Sequence, residues 1–178
     1  MERNKKMESY IKNVKDCAQL IIIKVNGGRY YERGGVEDGP TVDILVDEQK
    51  RTGFVAVKQV SYLNYLREIV IESFSTTKEG VENFLLENGF IKDKQREGLF
   101  INEAQRVEMF LRYINKMKKY WNELDISSGD KVHGMAMTFL SLIDGCDTNF
   151  PNGFTLIDNK TQTKISVGHL HEILGNFQ

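Results

Sequence analysis

Residues 132–147, "VHGMAMTFLSLIDGCD", bring together side chains that bind metals or take part in catalysis: a histidine, a cysteine and two aspartates. In a helix, His133 and Asp144 face the same way at about 100° per residue. A rise of about 1.5 Å per residue nevertheless separates them by about 16 Å along the axis, so they cannot share a metal ion or a proton. The uncharged run between them is predicted to be a core helix that ends near Gly145. We expect Asp144 to cap a neighbouring segment or to accept its N–H.

The three histidines of the chain all lie after residue 132 and raise the possibility of a metal site. His169 and His171 would face the same side of a strand, but on a helix they are about 200° apart and cannot both bind one ion. A helix is predicted here, because three nearby apolar residues then share a face: Leu170, Ile173 and Leu174. A metal-assisted hydrolase built on His133, His169 and His171 is one alternative function, and it requires His133 to meet the other two. In the other interpretation, one terminal histidine lies on the surface and one at the edge of the core.

The remaining metal and thiol motifs lack the spacing of a known site. "DGCDTNFPNG" has the acidic residues and glycines of a calcium loop, but no glutamate stands at its twelfth position. Cys17 and Cys146 have no CxxC partner, which indicates two small core thiols in a reducing compartment. We therefore expect no cofactor, and we assign no catalytic residue.

The glycine-flanked segment 27–39, "GGRYYERGGVEDG", is predicted to be a loop because it lacks apolar periodicity. It carries residue types that are enriched at interface hot spots: Arg29, Tyr30, Tyr31 and Arg33. These four residues are the predicted partner-binding site. The alternative is a plain connector that places one tyrosine in the core.

A third candidate surface lies on the predicted helix that follows Asn102. Arg112, Lys116 and Lys119 share one exposed strip beside two tyrosines, an arrangement that could follow a phosphate backbone. The alternative is a solvated helix face. The net charge of −1 and the pI of about 6.3 disfavour nucleic acid as a partner.

Apolar spacing predicts most of the chain to be helical. Two prolines in 178 residues agree with that. The predicted helices cover residues 7–25 (ended by "NGG"), 54–74, 76–88 (with Thr76 and Glu79 as a capping box), 102–124 (capped by Asn102) and 132–144 (preceded by a cap at Ser128 or Asp130), with a short helix in "HLHEILGNF". Residues 27–53 form a loop-rich connector in which 40–47 is helix or strand, with helix slightly preferred. Residues 154–166 form a small hairpin. The predicted fold is mainly α, a single-domain helical bundle of five or six helices over residues 1–178 with a β-hairpin appendage.

The segment "HGMAMTFLSLIDG", the following "FTLID" and the terminal "LHEIL" resemble the C-terminal part of small uncharacterised bacterial proteins, over residues 130–175. The resemblance implies a context of toxin or phage-defence systems and no activity at a particular residue. The composition, 40% hydrophobic and 28% charged, is that of a soluble globular protein, and no apolar run is long enough for a membrane span.

Three functions follow from these patterns. The preferred one is a non-enzymatic, cytoplasmic protein-binding factor, such as an inhibitor, an immunity protein or an accessory protein, acting through the segment that contains Tyr30 and Tyr31. The alternatives are the histidine-based hydrolase and nucleic-acid binding through Arg112, Lys116 and Lys119. The partner's identity and the oligomeric state stay open.

Overall fold

In the computed structural model, the described residues are 9–34, 39–58, 66–146, 150, 153–165 and 169–175. The chain divides into two compact units, residues 1–109 (unit 1) and 110–178 (unit 2), where the sequence predicts one domain. The elements of the described residues are a 3₁₀ turn Val14–Asp16; strands β1 Gln19–Val25, β2 Arg29–Arg33, β3 Thr41–Leu45, β4 Gly53–Lys58, β5 Ile69–Ser75, β6 Ile91–Lys92, β7 Leu99–Ile101, β8 Leu156–Ile157 and β9 Lys164–Ile165; and helices α1 Lys78–Glu87, α2 Glu103–Glu123, α3 Ser128–Asp144 and α4 Leu170–Gly175.

Unit 1 is built on an antiparallel sheet, so the predicted mainly helical bundle is wrong and the fold is mixed α/β. The strand order is β5-β4-β1-β7-β6, and β2 pairs with β3 in a separate two-stranded sheet. β1 lies at the centre, with β4 on one side along Leu20–Val25 and β7 on the other along Gln19–Ile21. The helix predicted for residues 7–25 is therefore replaced by a strand over its last seven residues.

The cause of this error is that β1 is buried on both faces. Its even-numbered side chains, such as Leu20, pack in a cluster with α1, and its odd-numbered ones, such as Val25, pack in a cluster with β2 and β3. A strand covered on both faces is apolar without alternation, and such a run also satisfies helical spacing. The predicted helix 54–74 fails in the same way: β4 and β5 occupy its ends, and residues 59–65 lie outside the described residues.

The predicted loop-rich connector, residues 27–53, is instead a turn followed by a pair of strands. Gly27 and Gly28 both have positive φ, at 57° and 65°, as a two-residue type I′ hairpin turn requires. "NGG" is thus the turn between β1 and β2 rather than the end of a helix. β3 lies within residues 40–47, so the preference for helix there is wrong. Along β2 and β3, buried Tyr30, Val42 and Ile44 alternate with exposed residues.

The later helices and the terminal hairpin are confirmed, with small shifts at their caps. Thr77 rather than Thr76 caps α1, and Gly89 (φ 83°) follows its end, so that Phe90 folds back into the core. Asn102 accepts the Gln105 N–H (3.0 Å) at the start of α2. Ser127 caps α3, where Ser128 or Asp130 would have been expected from the sequence. β8 and β9 form the predicted hairpin, and α4 the predicted short helix.

Unit 2 places the end of α3 next to the hairpin and α4. Gly145 adopts the left-handed conformation (φ 80°) and ends α3. The Phe154 N–H donates to the Ile143 carbonyl (2.8 Å), which fixes the chain entering the hairpin against the last turn of α3. Earlier in α3, Gly134 lies against the Trp121 ring, with no room for a side chain. Among the described residues, no helix combines the length and apolarity needed to cross a membrane.

The turn between β1 and β2 can be tested with a pair of alanine substitutions. Gly28→Ala would place a Cβ 2.8 Å from Lys50 Cα and against the Asp47 carbonyl, whereas Gly27→Ala has open space around it. Each substitution should lower the free energy of unfolding by about 1 kcal/mol, because alanine disfavours a positive φ. Steric overlap should lower it by about 1–3 kcal/mol more at Gly28 only. Urea unfolding should therefore show a clearly larger loss of unfolding free energy for Gly28→Ala than for Gly27→Ala. Equal losses would contradict this turn geometry.

Candidate metal centre

The first residue of the candidate centre is Asp144, whose carboxylate lies at the C-terminal end of a helix. Asp144 is the last residue of α3, where the negative end of the helix dipole disfavours an anion. Its side chain is nonetheless largely enclosed, with 7% of its surface exposed. A carboxylate in that position needs hydrogen-bond donors from another element.

The donors come from the first turn of α4. Asp144 Oδ2 accepts the backbone N–H of His171 at 2.8 Å and lies 2.6 Å from Nδ1 of the same residue. The Leu170 backbone N–H also contributes. The expectation that Asp144 accepts a neighbouring N–H is therefore confirmed. The two bonds to one residue fix both the start of α4 and the orientation of the His171 ring.

These contacts keep Asp144 ionised. Partial burial by itself raises the pKa of the carboxyl, but the hydrogen bonds from the backbone N–H and ring of His171 and from the Leu170 N–H outweigh it. The net shift of the Asp144 pKa is downward. A fixed negative charge thus lies against an imidazole nitrogen at neutral pH.

The second terminal histidine reaches the same place. His169 lies just before α4, so the helical separation of about 200° that argues against a shared ion does not apply to it. The rings of His169 and His171 have centroids 6.0 Å apart and meet edge to face. One ligand atom from each of Asp144, His169 and His171 lies within 4.8 Å of the other two.

Of the predicted metal set, the structure brings His169 and His171 together but does not bring His133 to them. His133 is exposed on α3, about three turns from Asp144, and Asp144 takes the third position. The sequence signal for Asp144 was present, because an aspartate that ends a helix must find donors elsewhere. Nothing in the sequence shows that those donors are in α4, 27 residues further on.

Cys146 lies beside the centre but lacks the properties of a nucleophile. Its Sγ is 3.8 Å from His171 Nε2 and 3.9 Å from Nδ1, so it is nearly equidistant from the two nitrogens and not in line with either lone pair. Desolvation, followed by the negative charges of Asp144 and Glu172, raises the pKa of the thiol. A thiol in such surroundings stays protonated at neutral pH.

The predicted partner-binding residues lie in unit 1 and do not share one environment. Arg29, Tyr31 and Arg33 alternate along the exposed face of β2, with Tyr31 67% exposed. Tyr30 points the other way and is buried, which agrees with the alternative that one tyrosine enters the core. Burial, and then a hydrogen bond to Glu32, raise the pKa of Tyr30.

The candidate nucleic-acid residues all lie on the exposed side of α2. Arg112, Lys116 and Lys119 are solvent-exposed, and the Lys119 ammonium is 3.9 Å from the Glu123 carboxylate. The arrangement fits the solvated helix face that was the alternative interpretation. Nucleic-acid binding there stays a prediction.

The Asp144 contact makes the stability of the chain depend on pH. Since the pKa of Asp144 is lower in the folded chain than its unfolded value of about 3.9, the contact stabilises above that pH and is lost as pH falls through the folded pKa. Asp144→Asn should lower the free energy of unfolding by about 1–2 kcal/mol near neutral pH. Urea unfolding of both proteins should show the difference shrinking toward about pH 3. A difference that is constant with pH would show that Asp144 is not held as a carboxylate.

No protein-family model, curated protein or solved structure matches the chain. The resemblance of residues 130–175 to small bacterial proteins therefore stays a prediction, and its toxin or phage-defence context gains no support. Any functional proposal depends on the geometry of the described residues.

Proposed function

We propose that the chain binds one divalent transition-metal ion, with Zn²⁺ as the best fit, through Asp144, His169 and His171. The observation that supports this most is the convergence of three ligand atoms within 4.8 Å from residues on both sides of the hairpin. The donor set of two imidazoles and one carboxylate favours Zn²⁺ over Ca²⁺ and Mg²⁺, which take mostly oxygen ligands.

A small local movement would complete the site. Ligands about 2.0–2.1 Å from a tetrahedral ion are about 3.3 Å from one another, so the 2.6 Å gap between Asp144 Oδ2 and His171 Nδ1 must widen slightly. The ion would replace the proton shared by these two atoms, and the ring would carry its proton on Nε2. The His171 backbone N–H can keep its bond to Asp144 meanwhile, so that the carboxylate stays in place.

The open side of this centre favours metal-assisted hydrolysis as a second, more specific function. Three protein ligands leave a fourth position on a tetrahedral ion, the arrangement of hydrolytic zinc sites. His169 is exposed, so the side of the ion next to it faces solvent. An ion there would supply a hydroxide from its bound water, and Asp144, His169 and His171 would hold that ion in position.

Two further expectations accompany the proposal. A cytoplasmic location is supported by the two free cysteines, Cys17 and Cys146. The partner-binding role expected of Arg29 and Tyr31 concerns unit 1 and does not depend on the ion.

Metal binding can be measured by titrating the metal-free protein with Zn²⁺ in a calorimeter. We expect about one equivalent to bind, and Asp144→Ala, His169→Ala and His171→Ala each to weaken binding about tenfold or more. His133→Ala is the matched control, because it removes the remaining histidine from an exposed position on α3. It should leave the affinity unchanged.

Thermal unfolding with and without Zn²⁺ gives an independent measure, because an ion that binds only the folded chain raises the melting temperature. No binding in the calorimeter and no shift of the melting temperature would end the proposal. Equal losses in His133→Ala and His169→Ala would restore the predicted three-histidine set.

Hydrolysis can be tested with p-nitrophenyl acetate as the probe. The zinc-loaded protein should release p-nitrophenol faster than the EDTA-treated protein, and His169→Ala should remove the difference. Cys146→Ser should retain it, because the thiol is not the nucleophile. A zinc-bound protein with no rate above that of the metal-free protein would leave a binding site and exclude this hydrolytic role.

A further inference from the structure

A hairpin turn joins β1 and β2, but beyond that turn the two strands do not pair with each other. The Arg29 N–H donates to the Asn26 carbonyl (3.1 Å), which closes the turn. In a two-residue hairpin the next hydrogen-bonded pair would be Lys24 and Tyr31. That pair is not formed, because β2 turns away to pair with β3 along its full length.

Beyond the turn, a gap separates β1 from β2. The edge of β1 that faces this gap carries backbone N–H and carbonyl groups that are not hydrogen-bonded. The Ala18 carbonyl accepts the Asn102 N–H (3.0 Å) beside β7, and the Asn26 carbonyl accepts from Arg29, so even-numbered residues of β1 point to this edge. β7 pairs only as far as Ile21. The Ile21–Leu99 pair places the Ile22 N–H opposite the Gly98 carbonyl, so the hydrogen bonding with β7 ends at Ile22. Within the described part of the chain, the backbone groups of Lys24 have no hydrogen-bond partner on this edge.

The edge of β2 that faces β1 also carries backbone groups that are not hydrogen-bonded. The Gly28 carbonyl accepts the Val46 N–H (2.8 Å) and the Gly34 N–H donates to the Pro40 carbonyl (2.8 Å), so even-numbered residues of this strand point to β3. Tyr31 consequently directs its N–H and carbonyl toward β1. Its backbone also finds no partner among the residues that the structure describes.

An open cleft of about 560 Å³ occupies this gap. Its volume lies in the range of about 300–1,000 Å³ that is usual for ligand sites. Two of the cations in its lining are neutralised by neighbours: Arg29 by Asp43 at 2.8 Å and Arg67 by Glu32 at 3.7 Å. Lys24 lines the same cleft and is exposed, with no ion pair within the described ranges. The cleft therefore has one cation more than it has carboxylates.

We propose that this cleft binds an extended peptide segment of a partner protein, which adds as a β-strand and directs an acidic side chain toward Lys24. The backbone groups of Lys24 on one wall and of Tyr31 on the other match the two edges of an added strand. The exposed Tyr31 ring supplies apolar contact, and Lys24 supplies charge complementarity. The predicted partner-binding segment thus contributes a strand edge and one aromatic side chain, rather than a mobile loop.

The probe for this proposal is a synthetic pool of heptapeptides of the pattern VxVxVxV, in which x is Glu or Thr. The full chain, isotope-labelled and kept in EDTA, is titrated with the pool and followed by amide NMR. We expect the amide signals of Lys24 and Tyr31 to shift and their hydrogen exchange to slow by about tenfold or more. Lys24→Glu should weaken binding about tenfold or more, through repulsion of the acidic side chains.

Two controls separate strand addition from other contacts. A pool that is N-methylated at alternate residues loses the donors of one edge and should not bind. Lys78→Glu makes the same charge change at an exposed site on α1 and should bind as the wild type does. No shifts at millimolar pool, equal binding by the methylated pool, or equal losses in the two lysine variants would each overturn the proposal. None of these results depends on whether the chain binds zinc.

Discussion

The arrangement of unit 2 around its candidate site depends on one carboxylate. Asp144 ends α3, where the helix dipole repels it, and it is retained there because α4 presents a backbone N–H and a ring nitrogen at 2.8 and 2.6 Å. A helix as short as α4 has little stability of its own, so this contact is what defines its first turn. The same contact brings the His171 ring to Asp144 and leaves His169 just outside the helix, free to turn toward both. The contact between Asp144 and His171 therefore fixes this part of the fold and also brings the candidate metal ligands together.

Two kinds of local signal predicted the correct parts of the fold. Caps and stops located α1, α2 and α3 within a residue or two, since Thr77, Asn102 and Ser127 satisfy helix ends through contacts only a few residues long. Strands β1 and β4 could not be identified in this way. Their two faces are covered by α1 and by the β2–β3 pair, so both faces are apolar and the sequence lacks the alternation typical of a half-buried strand. The covering elements are brought to these strands only by the complete fold. One local signal was misinterpreted: an Asn-Gly pair between β-prone segments favours a hairpin turn over a helix end.

The candidate site shows the same division between local and long-range information. His169 and His171 were identifiable as candidate ligands by residue type alone. Their third partner depends on how the end of α3 meets the start of α4 across 27 residues, which neither spacing nor composition encodes. In unit 1, the chemistry of Arg29 and Tyr31 indicated a binding segment, but strand pairing decides that Tyr31 is available while Tyr30 is buried. Residue type thus indicated the candidate residues, and tertiary contacts determine which of them lie together and which are exposed.

The most direct measurement of the central claim is the nitrogen NMR spectrum of the three imidazole rings during a zinc titration. Before zinc, Asp144 should hold the His171 proton on Nδ1, because the carboxylate accepts from that atom. With zinc, His171 should show a metal-bound Nδ1 and a protonated Nε2, His169 should show one metal-bound nitrogen, and His133 should be unchanged. A spectrum in which the rings of His169 and His171 do not respond, or in which His133 responds with them, would contradict a centre formed by Asp144, His169 and His171.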